Sequence, residues 1–242
     1  MSVATQPKKN PAAEPPLFAD QALAKLLSAY QFNTVLDIGC GTGRHSQKFR
    51  EAGKDVTGVD IVGLAPGVIV ADYLKHNFDR QFDCAWASHV LEHQPNVNLF
   101  LRKVHGDLRD GGVLAVTVPP LKHNIVGGHL TLWNAGLLLY NLVLAGFDCR
   151  QARVKHYGYN ISVIVQKTPA NIPYDQLKYD SGDIDTLAPF FPQHPKLPIQ
   201  QSFNGDIRQL HWDGNELQLN VKKTLGRRLG RLLSKRYWFP AD

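Results

Sequence analysis

The sequence predicts an α/β fold built on a mostly parallel β-sheet, and three observations carry that prediction. Short apolar or β-branched runs, TVLDI (34–38), DVTGVDI (55–61), GVIVADY (67–73), FDCAWAS (82–88) and GGVLAVTVPP (111–120), are each bounded by Gly, Asp or Pro. Segments of helical length separate several of them, notably 44–52 and 97–108. Continuous apolar strands alternating with amphipathic helices belong to a parallel sheet covered on both faces. Lastly, CRQARVKHY and YNISVIVQK flank Gly158 so closely that they must pair antiparallel, because a parallel pair needs a long crossover.

The elements follow in order. Residues 1–16, MSVATQPKKNPAAEPP, read as a flexible arm without the apolar core of a signal segment. From Leu17, LFADQALAKLLSAY has apolar residues at helical spacing with Asp20 near its first turn, so a helix leads into the first strand. LTLWNAGLLLYNLVLAGF (130–147) reads as an apolar helix closed by Gly146. The main domain is accordingly placed at 17–168. In 169–220 Pro169, Pro173, Pro192, Pro195 and Pro198 interrupt a polar stretch, and Asn204-Gly205 within QSFNGDIRQLHW signals a hairpin.

Charge and cysteine usage narrow the class. The formal charge of +6 comes from 27 basic and 21 acidic residues, and seven of the basic ones lie between Lys222 and Arg236, which leaves a nearly neutral body. In 221–242 Val221, Leu225, Leu229, Leu232 and Leu233 recur at helical spacing, and Tyr237-Trp238-Phe239 follows. Such a basic amphipathic helix can pack on its own domain, lie at an anionic membrane surface through 221–239, or dock on RNA; nucleic acid is the least favoured of the three. Cys40, Cys84 and Cys149 are widely spaced, which argues against a disulfide framework or a cysteine zinc site and fits a reduced, cytoplasmic protein. No stretch has the roughly 18 apolar residues of a membrane span.

The chemistry is concentrated in VLDIGCGTGRHSQKF (35–49). Asp37 ends a strand, and Gly39, Gly41 and Gly43 then open a helix, so the backbone can turn sharply and approach a ligand at a helix N-terminus. A dinucleotide fingerprint would need glycine where Arg44 stands. This G-x-G-x-G spacing behind an acidic residue instead resembles motif I of the class I S-adenosylmethionine-dependent methyltransferases.

The resemblance extends over roughly Val35 to Lys167. It implies a Rossmann-like sheet of seven strands with the last antiparallel, plus a C-terminal extension, and S-adenosylmethionine as cofactor. Asp60, ending the second strand, matches the position that holds the ribose hydroxyls, and a carboxylate accepting from a diol is sound chemistry. Asp72, after the third strand, matches the acceptor for the adenine amino group. Cys40, Ile61, Tyr73, Ser88 and His89 complete the expected cofactor contacts. More weakly, 127–147 is similar to methyltransferases associated with bacterial cell-surface polysaccharide assembly, which implies transfer to a sugar hydroxyl of a glycan or lipid-linked glycan, at the inner face of a membrane. A small metabolite, quinone or lipid acceptor, RNA, and a non-catalytic nucleoside-binding role are the alternatives.

His89-Val-Leu-Glu92-His93 has the H-x-x-E-H form of an inverted zinc-protease motif. Gln94-Pro95 argues against one continuous helix through it, so no metal is expected. Instead His89 falls in the loop that lines the methyl-donating end in the resembling enzymes. Deprotonating a hydroxyl acceptor suits histidine. His123 and His129, in LKHNIVGGHLTLWN after the fifth strand, are the candidate bases, with His89 a further candidate; His129 is placed at the entrance of the apolar helix.

Overall fold

The computed structural model describes residues 17–214 and 217–219. Five strands run parallel: β1 (Thr34–Ile38), β2 (Asp55–Asp60), β3 (Ile69–Val70), β4 (Phe82–Ser88) and β5 (Leu108–Val118). Four more, β6 (Arg153–Tyr157), β7 (Asn160–Gln166), β8 (Ile207–Leu210) and β9 (Leu217–Leu219), join antiparallel to their neighbours. They form one sheet in the order β3-β2-β1-β4-β5-β7-β6-β8-β9. The chain moves outward from β1 to β3 and then returns to the other side of β1 at β4. That reversal opens a crevice beyond the carboxyl ends of β1 and β4, where open α/β sheets take their ligands.

Side-chain alternation assigns the two faces of the sheet. Val35, Cys84, Trp86 and Ala115 point to one face, under Ala22 and Leu26 of α1 (Asp20–Ala29) and Phe49 of α2 (Arg44–Glu51). Leu36, Ile38, Ala85 and Leu114 point to the other, against Phe100 and Val104 of α3 (Val97–Asp107) and Leu138 and Leu142 of α4 (Ala135–Leu144). Both faces are apolar, as a doubly covered sheet requires. Asp37 belongs by register to the α2 side, a carboxylate only 1% exposed among apolar neighbours.

The first seven strands match the expected sheet, and β8 and β9 extend it at the β6 edge. The hairpin expected around Asn204-Gly205 is displaced. The Asn204 side chain accepts from the Asp206 amide, the pair precedes β8, and the reversal lies between β8 and β9. The glycine serves a close backbone approach: the Gly136 amide donates to Gly205 O at 3.0 Å, and a Cβ on Gly136 would lie 2.5 Å from Gly205 Cα. Asn134 caps α4 by accepting from the Leu137 amide, so that helix begins at Ala135 and His129 stands upstream of it, not at its entrance. Among the described residues no helix is long and apolar enough to cross a membrane. The arm at 1–16 and the basic segment 221–242 lie outside the described residues.

Candidate active site

The turn after β1 is built around three left-handed glycines, Gly39, Gly41 and Gly43, with φ of 68°, 53° and 78°. Residues with a Cβ rarely hold that conformation. The Gly39 amide donates to Val59 O at 2.8 Å, which ties the turn to β2. A Cβ on Gly39 would lie 2.8 Å from Val90 Cγ2, so the turn also needs glycine to pass the loop after β4.

Asp60 is drawn into the same turn from the end of β2. Its Oδ2 accepts from the Gly41 amide at 2.8 Å and its Oδ1 from the Val62 amide at 2.9 Å. A carboxylate has about four lone-pair sites, so each oxygen keeps capacity for a further donor. Asp72 accepts from the Leu74 amide through Oδ1 and meets Lys75 Nζ at 3.2 Å through Oδ2. Between these acids Ile61 is 75% exposed, an apolar side chain open to a flat ligand face.

Beneath the turn Asp37 Oδ2 accepts from the Ser46 hydroxyl at 2.6 Å. Burial pushes its carboxyl up to about 6, against the opposing hydrogen bonds from Ser46. The folded protein therefore holds this proton more tightly than the unfolded chain does. Stability contributed by the neutral acid is present in full below about pH 4 and is lost as pH rises to about 6. Two pH units correspond to about 3 kcal/mol. Asp37→Asn keeps an acceptor for Ser46 without the charge. Urea unfolding of the ligand-free protein should show the variant more stable by roughly 1–3 kcal/mol at pH 8 and level with the parent near pH 4. A variant less stable than the parent at pH 8 would contradict this.

Cys40 is 8% exposed, and its thiol is pushed up to about 12 by burial and by the nearby Asp37 and Asp60 charges. It stays protonated and is no nucleophile; its backbone closes the turn, the amide donating to Val59 O at 3.3 Å and the carbonyl accepting from the Gly43 amide at 2.8 Å. Ser88 ends β4, one step beyond the paired residues Ile38 and Ala87, and its buried hydroxyl has no partner among the described residues. An orphaned hydroxyl beside the glycine turn fits a polar ligand group there. Tyr73 is a correction to the sequence reading. Its side chain turns into the core, where its hydroxyl donates to Asp107 Oδ2 at 2.7 Å and its ring meets Phe100 edge-on. The residue leaves the strand in a turn, where sequence alternation no longer sets direction.

His89 follows with a left-handed backbone, φ 55°, and its amide donates to Thr117 O. Its ring is held at both nitrogens, Nδ1 to Glu92 Oε1 at 3.2 Å and Nε2 to Asn160 Oδ1 at 2.9 Å. Burial opposes charge on the ring, but the hydrogen bonds to Glu92 and Asn160 outweigh it, and the pKa is raised. With both nitrogens engaged, His89 is placed to orient its neighbours and not to collect a proton from an acceptor. Tyr159 stacks on it at 6.0 Å and Phe18 covers it at 4.7 Å. The segment before α1 is pinned there: His45 Nε2 meets Phe18 O at 2.8 Å and the Ala19 amide donates to Asn160 Oδ1 at 3.2 Å. Sequence reasoning missed Asn160, Phe18 and Tyr159, because their partners are up to 141 residues away along the chain.

The loop after β5 forms the wall on the far side of Tyr159. Lys122 Nζ lies 4.2 Å from the Tyr159 ring centre. His123 lines a cleft of about 260 Å³ with Trp133, Asn134, His156 and Asp206. His129 lines a smaller recess with Lys122, Trp133 and Tyr159, and its ring meets His93 edge-on at 5.0 Å. The two histidines are thus on one loop but in different surroundings.

A nucleoside-binding α/β sheet with an acidic strand end, a three-glycine turn and a second acid at the next strand defines the class. The chain belongs to the methyltransferase-domain family, whose model matches residues 12–166. Its fold is that of the class I S-adenosylmethionine-dependent enzymes. It is similar to malonyl-[acyl-carrier protein] O-methyltransferase of Salmonella typhimurium, 34% identical over 107 residues that make up 40% of this chain and 43% of the relative. It is also similar to ubiquinone biosynthesis O-methyltransferase of Bordetella avium, 31% identical over 37% of this chain and 44% of the relative. The chain thus spans less than half the length of these curated relatives. In fold it matches the crystal structure of Burkholderia thailandensis 1,6-didemethyltoxoflavin-N1-methyltransferase, with a TM-score of 0.52 at 21% identity, over 62% of this chain and 80% of that one.

Proposed function

We propose that this chain transfers a methyl group from S-adenosylmethionine to a hydroxyl oxygen of a small acceptor that is apolar or carried on a lipid. The donor would be held by the backbone of Gly39 to Gly43, by Asp60 and Asp72, by Ser88, and by the exposed face of Ile61. When bound, it supplies an electrophilic methyl group on a sulfonium. The protein's own work is to hold the acceptor oxygen in line and to take its proton. His123 is favoured as the base, since it is exposed in the cleft beside Trp133, whereas the His129 ring is packed against His93.

The observation that carries the acceptor class is the rim of that cleft. Leu121 lines it, Leu132 lines the neighbouring recess, and these two with Ile125 and Leu130 are all exposed along the same loop. A run of exposed apolar side chains beside a site marks a surface for apolar ligands or lipid. Both curated relatives named above are O-methyltransferases, which supports oxygen as the acceptor atom. A lipid-linked glycan and a quinone-type phenol both present such a hydroxyl. The basic segment 221–239 would bring the chain to an anionic membrane surface carrying either.

Labelled S-adenosylmethionine incubated with separate pools of lipid-linked glycans, small phenolic metabolites and RNA tests the reading. Label is expected in one of the first two. His123→Ala should lower the single-turnover rate on the labelled acceptor by about 10²-fold or more. Label in RNA alone would overturn the acceptor assignment, and an unchanged rate would remove His123 as the base.

A further inference from the structure

Glu92, His93 and His129 bring one carboxylate oxygen and two ring nitrogens within 4.8 Å of one another. The expectation of no metal rested on the pair His89 and His93 needing a continuous helix. That objection holds for the pair, because the 3₁₀ turn Leu91–His93 ends at Gln94, whose ψ of 122° is extended before Pro95. The structure replaces His89 with a ligand from a different element, the loop after β5.

Three features of this cluster point to a cation. His93 Nδ1 lies 2.8 Å from Gly128 O. A carbonyl can only accept, so Nδ1 carries a hydrogen, and in the neutral ring Nε2, 3.9 Å from Glu92 Oε1, presents the lone pair. Histidines that ligate metals are commonly fixed in this way by a backbone carbonyl on the other nitrogen. The Glu92 side chain is 1% exposed, and while Oε1 serves His89, Oε2 has no hydrogen-bond partner among the described residues. A buried carboxylate oxygen left without a donor is costly, and a neighbouring cation removes that cost. Finally, the cluster joins two elements that already meet, since the Leu130 amide donates to Glu92 O at 2.8 Å.

We propose that Glu92, His93 and His129 form a binding site for a divalent transition metal of the zinc class, with at least one position left to water or an acceptor oxygen. Two imidazoles and one carboxylate suit zinc, cobalt or nickel over magnesium or calcium. Ligands about 2.0–2.1 Å from a tetrahedral ion sit roughly 3.4 Å apart, so binding draws the cluster together. Gly127 and Gly128, immediately before His129, give the loop the freedom to close. The ion would pin the wall of the acceptor cleft to the turn that follows β4.

The test uses the full-length chain without an affinity tag, stripped by chelator and titrated with Co²⁺, followed by visible absorption and by metal content per chain. One equivalent is expected, displaced by Zn²⁺ and not by Mg²⁺. His93→Ala and His129→Ala should each weaken binding at least about tenfold, while His76→Ala, whose ring packs on Phe78 instead, should leave it unchanged. His129→Gln, on a loop and half-buried, serves where His93→Ala fails to fold. Less than half an equivalent bound, or full binding by both His129 variants, would overturn the site. The readout is metal binding and not methyl transfer, so failure here leaves the methyltransferase reading standing.

Discussion

Gly39→Ala is expected to weaken S-adenosylmethionine binding by at least about 10²-fold and to destabilise the protein by roughly 2–4 kcal/mol. Two costs combine at this position. The left-handed backbone, φ 68°, disfavours any Cβ by about 1–2 kcal/mol. The new methyl would also lie 2.8 Å from Val90 Cγ2 and 3.0 Å from Val90 Cβ. Val90 is β-branched and packs against the core, so it yields little. The turn must move instead, and with it the Gly39 amide bonded to Val59 O. Gly41→Ala is the comparison, because its φ is 53° but a Cβ there meets nothing within 4 Å. Chemical denaturation should show Gly41→Ala losing only the backbone part. Adding Val90→Ala to Gly39→Ala should recover part of the affinity. Equal stability losses in the two glycine variants would mean that the approach to Val90 is not what constrains the turn.

Asp60→Ala is expected to cost about as much affinity by another route. The carboxylate organises the turn through the Gly41 and Val62 amides and, in the proposed complex, accepts from both ribose hydroxyls. Hydrogen bonds to a charged group contribute about 1.5–3 kcal/mol each, so losing the diol contacts alone weakens binding roughly 10²-fold or more. A donor analogue lacking one ribose hydroxyl separates the two roles. It should bind the parent about tenfold more weakly than the complete nucleoside and bind Asp60→Ala no more weakly still. An equal penalty for the analogue in both proteins would place the diol elsewhere.

What the sequence made legible follows from local chemistry. Apolar runs bounded by Gly, Asp or Pro located β1 and β4, and the segments of helical length between such runs located α2 and α3, to within a few residues. A short connection at Gly158 forced β6 and β7 to be antiparallel. The glycine turn, Asp37 and Asp60 were legible because a backbone that must approach a ligand leaves a composition signature. Long-range pairings leave none. Nothing in the run after Lys167 announces that β8 will add to β6, and Asn204-Gly205, a hairpin signal by composition, was used for contact with Gly136. His89 reads as a loop histidine, yet its second partner, Asn160, lies 71 residues away. The same limit hid the meeting of Glu92 and His93 with His129. Tyr73 illustrates a subtler failure: next to Asp72 it was read as part of the same site, but adjacent residues in a turn diverge, and the phenol donates to Asp107 at the end of α3.

The central claim is that the crevice beyond β1 and β4 holds S-adenosylmethionine through Asp60 and the three-glycine turn. Calorimetric titration of the full-length protein with S-adenosylhomocysteine tests it most directly. One site per chain with micromolar or tighter affinity is expected, weakened at least about 10²-fold by Asp60→Ala. Millimolar binding to the parent protein, or undiminished binding to Asp60→Ala, would contradict it.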